Sequence, residues 1–234
     1  MARIEKNKPL PDHTALKYEE CYAKRILEWY DNSRYKSLII RDKPDLYCES
    51  LDVGIEVTDA SDPEDQEAHR LWSKLPYVNA KKNDSYLKRI NQLGYECGWG
   101  ALGLKPSKSC AVYDRGPASG PFMPIYSAIE NKVVTLTKGQ YQKCSKYELF
   151  ILRNVYLKTV WLPFFLKNCR KKNLNDCFSR ILICSGWILI DLDIEKNVGN
   201  LKEITSDEQY KLAIDARTIV EKAEMEKNKE IGIA

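Results

Sequence analysis

Two acidic residues of this sequence, Asp45 and Glu56, are candidates for binding a metal ion. Asp45 follows Pro44 at the head of one short apolar run, and Glu56 lies in the middle of the next run. A polar turn over residues 49–52 separates the runs, so two paired strands would bring both acids to the same end of a sheet. A charged side chain in the middle of a strand is rarely buried without a partner. Because hard divalent cations such as Mg²⁺ prefer carboxylate oxygens, the pair indicates metal-assisted hydrolysis.

Two further charged residues interrupt the apolar faces of predicted helices. Glu20 falls in the apolar row of a helix predicted over residues 12–31, and Lys132 borders the apolar face of a helix predicted over residues 124–138. Three acids and one lysine would suffice to hydrolyse a phosphodiester: the acids hold one or two Mg²⁺ ions, and the lysine offsets charge on the phosphorane. Taken alone, Lys132 is better explained as a lysine that reaches solvent along the helix surface. Only the four residues together predict a site.

The elements that must position these residues follow from periodicity and turn residues. Strands are predicted at 37–40, 44–48 and 53–59 as a meander, at 147–153, and at 180–185 and 187–193 as a hairpin around Gly186. Further helices are predicted at 64–75, 83–93, 159–172 and 207–229. The order of helices and strands indicates an α/β fold with a mixed sheet. We expect one domain over residues 1–234, with a polar insertion or lid at 61–120 that holds a short strand at 111–113, and a charged helix and tail at 207–234.

Composition excludes several classes of protein. The chain has 234 residues, of which 44% are hydrophobic and 30% charged, as in an ordinary soluble globular protein. No apolar run approaches the roughly 20 residues that span a bilayer, and the N-terminus has no apolar signal region, so we expect a cytoplasmic protein without membrane contact. The eight cysteines stand singly and there are only two histidines, which argues for reduced thiols and against a zinc site or a histidine-based triad.

At Pro44-Asp45 and Glu56-Val57-Thr58 the sequence resembles the PD-(D/E)xK nuclease superfamily. It is similar to bacterial and phage members that read P-D…I-G-I-E-V-T after a helix bearing a glutamate, over residues 14–59 and 124–193. The resemblance implies a restriction-endonuclease-like fold, a mixed β-sheet flanked by helices, and a nuclease acting on DNA with Mg²⁺ or Mn²⁺, in phage–bacterial conflict. It implies Asp45 and Glu56 as metal ligands and Glu20 as a third acid. Thr58 replaces the usual catalytic lysine, and Lys132 matches members whose lysine has migrated to the following helix.

Two basic clusters, Lys81-Lys82 and Lys88-Arg89, alternate with aromatic residues and are candidates for contact with a nucleic-acid backbone. The alternative is an ordinary solvated face. Two other functions stay open at this point. One is a catalytically inactive protein of the nuclease fold that binds nucleic acid or inhibits a protein partner. The other is a protein-interaction module that uses residues 61–120 as its contact surface, and a homodimer is compatible with either.

Overall fold

A seven-stranded mixed sheet forms the centre of the structure, a computed structural model. It describes residues 10, 14–61, 63–75, 78–97, 112–114, 122–138, 141–153, 163, 165, 167, 168 and 177–230. The strands are β1 (Leu38–Ile40), β2 (Leu46–Cys48), β3 (Val53–Asp59), β4 (Tyr95–Cys97), β5 (Val112–Asp114), β6 (Lys146–Arg153), β7 (Arg180–Ser185), β8 (Ile188–Asp193) and β9 (Val198–Glu203). The helices are α1 (Tyr18–Tyr30), α2 (Asn32–Tyr35), α3 (Pro63–Lys74), α4 (Ala80–Gln92), α5 (Met123–Thr137) and α6 (Ser206–Glu230).

The large sheet has the strand order β1-β2-β3-β6-β7-β8-β9. Strands β1, β2 and β3 form an antiparallel meander, β3, β6 and β7 run parallel, and β7, β8 and β9 are antiparallel. Gly186 turns the hairpin between β7 and β8 with φ 57°, a conformation that glycine adopts at no steric cost. The predicted α/β class, mixed sheet, meander and hairpin are therefore confirmed.

Each face of the sheet is covered by helices, which explains the nearly continuous apolar sequences of the central strands. On one face, Ile125 and Ile129 of α5 pack with Leu149 of β6 and Ile181 of β7. On the opposite face, the apolar side of α1 and Leu212 of α6 pack over the other set of strand side chains. Since side chains alternate along a strand and Glu56 is in register with Leu149, Glu56 points to the α5 side.

The predicted insertion contains a second, smaller packing unit. Helices α3 and α4 pack together, and β4 pairs with β5 in a separate two-stranded sheet. Ala68, Ile90 and Tyr95 form the buried centre of this unit. No helix in the described ranges is both long and apolar enough to cross a membrane.

Several element boundaries differ from the prediction. Helix α1 begins at Tyr18 instead of residue 12, because Lys17 is extended (φ −78°, ψ 134°). Helix α4 begins at Ala80, three residues early, because the Asn79 side chain accepts a hydrogen bond from Lys82 N and caps it. Helix α2 and strands β4 and β9 were not predicted. Most of the helix predicted at 159–172, and most of residues 98–121, lie outside the described residues.

Candidate active site

Lys132 joins the two acids that the sequence singles out. Its Nζ lies 2.7 Å from Glu56 Oε2 and 3.4 Å from Asp45 Oδ2. The contact spans 76 residues to Glu56 and 87 to Asp45, and α5 makes it by packing against β3 on the Glu56 face. The Lys132 side chain is 20% exposed, whereas the Glu56 side chain that it contacts is 1% exposed. The structure thus brings Asp45, Glu56 and Lys132 together.

Glu56 is a buried acid with an uneven set of hydrogen-bond partners. It is 1% exposed, and its Oε2 accepts hydrogen bonds from Lys132 Nζ and from the Tyr141 hydroxyl at 3.1 Å. Its Oε1 is buried and has no hydrogen-bond partner in the described part of the chain. Burial raises the pKa of Glu56; the Lys132 ammonium opposes this rise and the Asp45 carboxylate adds to it. Burying a carboxylate oxygen without a partner costs free energy, and a proton or a cation bound to that oxygen would reduce the cost.

The Asp45 side chain accepts a backbone hydrogen bond from β3 just before β2 begins. Its Oδ2 accepts a hydrogen bond from Val57 N at 2.8 Å, next to the backbone pair of Leu46 with Ile55. Gly54 lets the turn before Asp45 lie close to β3, since a Cβ there would stand 2.9 Å from Pro44 Cγ and 3.0 Å from Tyr147 Cδ1. The backbone of β3 therefore fixes the Asp45 carboxylate directly.

Glu20 is a third acid near this site and interacts with Asp45. It is 7% exposed and pairs at 2.7 Å with Nζ of Lys17, the residue just before α1. Burial raises the pKa of Glu20, Lys17 opposes this rise, and the neighbouring Asp45 carboxylate adds to it. Hence Glu20 interacts electrostatically with the Asp45 end of the site, as the sequence predicts for an inward-facing acid.

Tyr141 is a member of the site that the sequence did not reveal. It lies in the loop between α5 and β6 and donates its hydroxyl to Glu56 Oε2. Burial raises the pKa of Tyr141, and the nearby Glu56 carboxylate raises it further, so the hydroxyl stays protonated and keeps donating. The only local signal is a tyrosine in a polar loop, and that has no periodicity from which a contact 85 residues away could be inferred.

A cleft of about 520 Å³ adjoins the site along α5. Thr58 and Asp59 at the end of β3 line one side, while Ser127, Asn131 and Lys132 line the other. Lys132 therefore contacts the acids and also faces a space large enough for a ligand. The cleft is open and its lining combines polar side chains with apolar ones such as Met123 and Ala128, so it could accept an extended ligand beside Lys132.

The predicted nucleic-acid contacts lie on α4, in the smaller packing unit. Lys81, Lys82 and Lys88 are exposed there, and Lys82 Nζ lies 6.0 Å from the centre of the Tyr86 ring. Arg89 instead pairs with Glu67 through two hydrogen bonds of 2.8 and 2.9 Å. Three lysines of the predicted cluster therefore form an exposed basic surface, whereas the charge of Arg89 is offset within the small packing unit.

The acids fit a divalent cation by their chemistry, although they are not arranged as a ready metal cage. In the ranges that the structure describes, no three or more His, Cys, Asp or Glu side chains are grouped so that they could hold a metal ion. The Lys132 ammonium instead offsets the charge of Asp45 and Glu56. The orphaned Glu56 Oε1 is nevertheless a hard oxygen donor of the type that Mg²⁺ and Mn²⁺ select.

We compared the chain with protein-family models, curated proteins and solved structures. None of them matches it. Function can therefore be proposed from the geometry of Asp45, Glu56 and Lys132 and from the resemblance of the residues around Asp45 and Glu56 to the PD-(D/E)xK pattern.

Proposed function

We propose that the protein is a metal-dependent nuclease that hydrolyses phosphodiester bonds in DNA. One observation carries the proposal: a lysine 76 residues from Glu56 in sequence lies 2.7 Å from that buried acid and 3.4 Å from Asp45. A soluble fold gains little stability from burying an acid with an orphaned oxygen, so such a group is more often kept for function. The resemblance at Pro44-Asp45 agrees with this interpretation of the site.

Each residue has a definable role in this proposal. Asp45 and Glu56 would hold Mg²⁺ or Mn²⁺, with Glu20 as a third acid at the Asp45 end. The bound ion supplies Lewis acidity toward a phosphoryl oxygen and lowers the pKa of a water molecule. Lys132 borders the adjoining cleft, and its ammonium group would offset negative charge that develops on the phosphate in the transition state.

The exposed lysines of α4 would contact the phosphate backbone away from the reacting bond. Lys81, Lys82 and Lys88 carry charge at the surface, and Tyr86 lies beside them. Such contacts orient a nucleic acid without reading its sequence. On this proposal the helical insertion would contact the nucleic acid.

A second candidate is a catalytically inactive protein of the same fold that binds nucleic acid or inhibits a protein partner. The observation that favours it is the Lys132 ion pair, which already offsets the charge of the acids in the absence of a metal cage among the described residues. On this alternative, Lys132 is a structural counter-ion and no phosphodiester is cleaved.

Cleavage assays separate the two candidates. The purified protein is incubated with supercoiled plasmid, single-stranded DNA and RNA, in Mg²⁺, Mn²⁺ or EDTA. We expect cleavage of DNA that requires the metal and falls at least about 100-fold in Glu56→Gln, Asp45→Asn and Lys132→Met. Lys24→Met is the matched control, because Lys24 is 17% exposed and pairs with Glu28 at 2.6 Å. Binding without cleavage, unchanged in Glu56→Gln, would establish the inactive alternative.

A further inference from the structure

We propose that Tyr141 is a positioning residue for a divalent cation at Glu56. Its hydroxyl and the Lys132 ammonium hold Glu56 Oε2, so that Oε1 is the oxygen presented to the cation. This inference rests on the proposed function, since it concerns the same acids. It assigns a role to a residue that no sequence pattern marks.

The distribution of hydrogen bonds over the Glu56 carboxylate carries the argument. Both donors, Lys132 Nζ at 2.7 Å and Tyr141 OH at 3.1 Å, reach the same oxygen. They approach from different elements, α5 and the loop after it, so together they restrict rotation of the carboxylate. Oε1 is left buried and without a partner among the described residues. A buried carboxylate oxygen costs stability unless a donor or a cation satisfies it.

Glu148 is a second buried glutamate on the sheet, and its hydrogen-bond donors are distributed differently. It is fully buried on β6, the neighbour of β3, and points to the opposite face. Arg34 Nη2 donates to its Oε1 at 2.5 Å, and the Tyr35 hydroxyl donates to its Oε2 at 2.7 Å. Both acids thus receive one cationic donor and one tyrosine, but Glu148 has a donor on each oxygen. In Glu56, unlike Glu148, both donors reach one oxygen and the other oxygen receives none in the described part of the chain.

The loop that carries Tyr141 is hydrogen-bonded to the segment before Asp45. Gln142 N donates to Lys43 O at 3.3 Å, and Arg41 Nη1 donates to Gln142 Oε1 at 3.2 Å. The orientation of Glu56 is thereby coupled to the segment that places Asp45. Residues that orient a metal ligand in this way typically change metal affinity about 10- to 100-fold when they are removed.

The test measures cation binding without substrate, by isothermal titration calorimetry with Mn²⁺. We expect Tyr141→Phe to weaken Mn²⁺ binding by about 10-fold or more. The matched control is Tyr35→Phe, which removes the hydroxyl that donates to Glu148 on the opposite face of the sheet and should leave Mn²⁺ affinity unchanged. Circular dichroism verifies that each variant is folded.

A double variant excludes a merely structural effect. If Tyr141 acts through Glu56, then adding Tyr141→Phe to Glu56→Gln causes no further decrease in Mn²⁺ affinity. Two results would overturn this inference: equal Mn²⁺ affinity in wild type and Tyr141→Phe, or an additive decrease in the double variant. If wild type cleaves DNA, the nuclease proposal is unaffected by either result. A wild type that neither binds Mn²⁺ nor cleaves DNA overturns both.

Discussion

The two buried glutamates on neighbouring strands, Glu56 and Glu148, should respond differently to substitution by glutamine. In Glu148→Gln, Arg34 loses its counter-ion and the Tyr35 hydroxyl loses a charged acceptor. Removing one partner of a fully buried ion pair costs about 3 to 5 kcal/mol. Because the Arg34 side chain is 29% exposed and solvent screens the pair, we expect the free energy of unfolding to fall by about 2 to 4 kcal/mol.

Glu56→Gln should lower the free energy of unfolding by at most about 1 kcal/mol. An increase in the free energy of unfolding would agree with the same reasoning. The amide oxygen of glutamine can still accept from Lys132 and Tyr141, and Lys132 retains Asp45 at 3.4 Å. The substitution also removes a carboxylate whose pKa is raised by burial and whose Oε1 is unsatisfied. A stabilising gain on removing a buried acid is typical of functional residues.

The pH dependence follows from the raised pKa of Glu56. Below about pH 4 the group is protonated in the folded and the unfolded chain, so its ionisation costs nothing. As pH rises through the higher folded-state pKa, the folded state must ionise a group that the unfolded chain ionises more easily, and wild type loses stability. The advantage of Glu56→Gln over wild type should therefore be larger at about pH 8 than at about pH 4.5.

Urea unfolding followed by circular dichroism, without divalent cations, measures these differences. Unfolding of wild type, Glu56→Gln and Glu148→Gln is compared at about pH 4.5, 7 and 8. If Glu56→Gln destabilises the protein as much as Glu148→Gln at neutral pH, then Glu56 and Lys132 form an ordinary structural ion pair. The physical reason for placing a functional site there would then disappear.

Two further predictions concern the frame of the site and the basic surface. Gly54→Ala should lower the free energy of unfolding by about 1 to 3 kcal/mol in urea, because the alanine Cβ would stand 2.9 Å from Pro44 Cγ. The same substitution should slow cleavage, because it displaces Asp45. Full activity in a destabilised variant would contradict this prediction. Replacing Lys81, Lys82 and Lys88 by Ala should reduce the slope of log binding constant against log salt for duplex DNA by about 0.9 for each phosphate that is no longer neutralised, as measured by fluorescence anisotropy. Arg89→Ala should change that slope less, since Arg89 pairs with Glu67; an equal change would place Arg89 on the DNA-binding surface.

The framework of the site could be predicted from sequence because it depends on local periodicity. Alternation and turn residues predicted the meander that sets Asp45 opposite β3, and the three- and four-residue spacing in α5 placed Lys132 at the border of its apolar face. In contrast, β9 is polar and exposed along most of its length, so no alternation marks it. Tyr141 reaches Glu56 only because long-range contacts fold its loop over the turn before Asp45.

The position of the lysine gives a final prediction. Thr58 shares a strand face with Glu56, two residues along β3 and so about 7 Å away, and it lines the cleft beside Lys132. A lysine at residue 58 would have room in that cleft and could reach the acids from their own strand. We therefore expect Lys132→Met to abolish cleavage and the double variant Thr58→Lys, Lys132→Met to recover at least about a tenth of wild-type activity, assayed on plasmid in Mg²⁺.

Recovery would mean that the ammonium charge beside Asp45 and Glu56 is what the reaction requires, whichever element supplies it. Thr58→Lys in the presence of Lys132 is the control, and it should retain activity because it adds a charge without removing one. If the double variant folds and stays inactive while Thr58→Lys alone is active, Lys132 has a role that depends on its place in α5. The most direct such role is contact with substrate in the cleft that Lys132 borders, alongside Asn131.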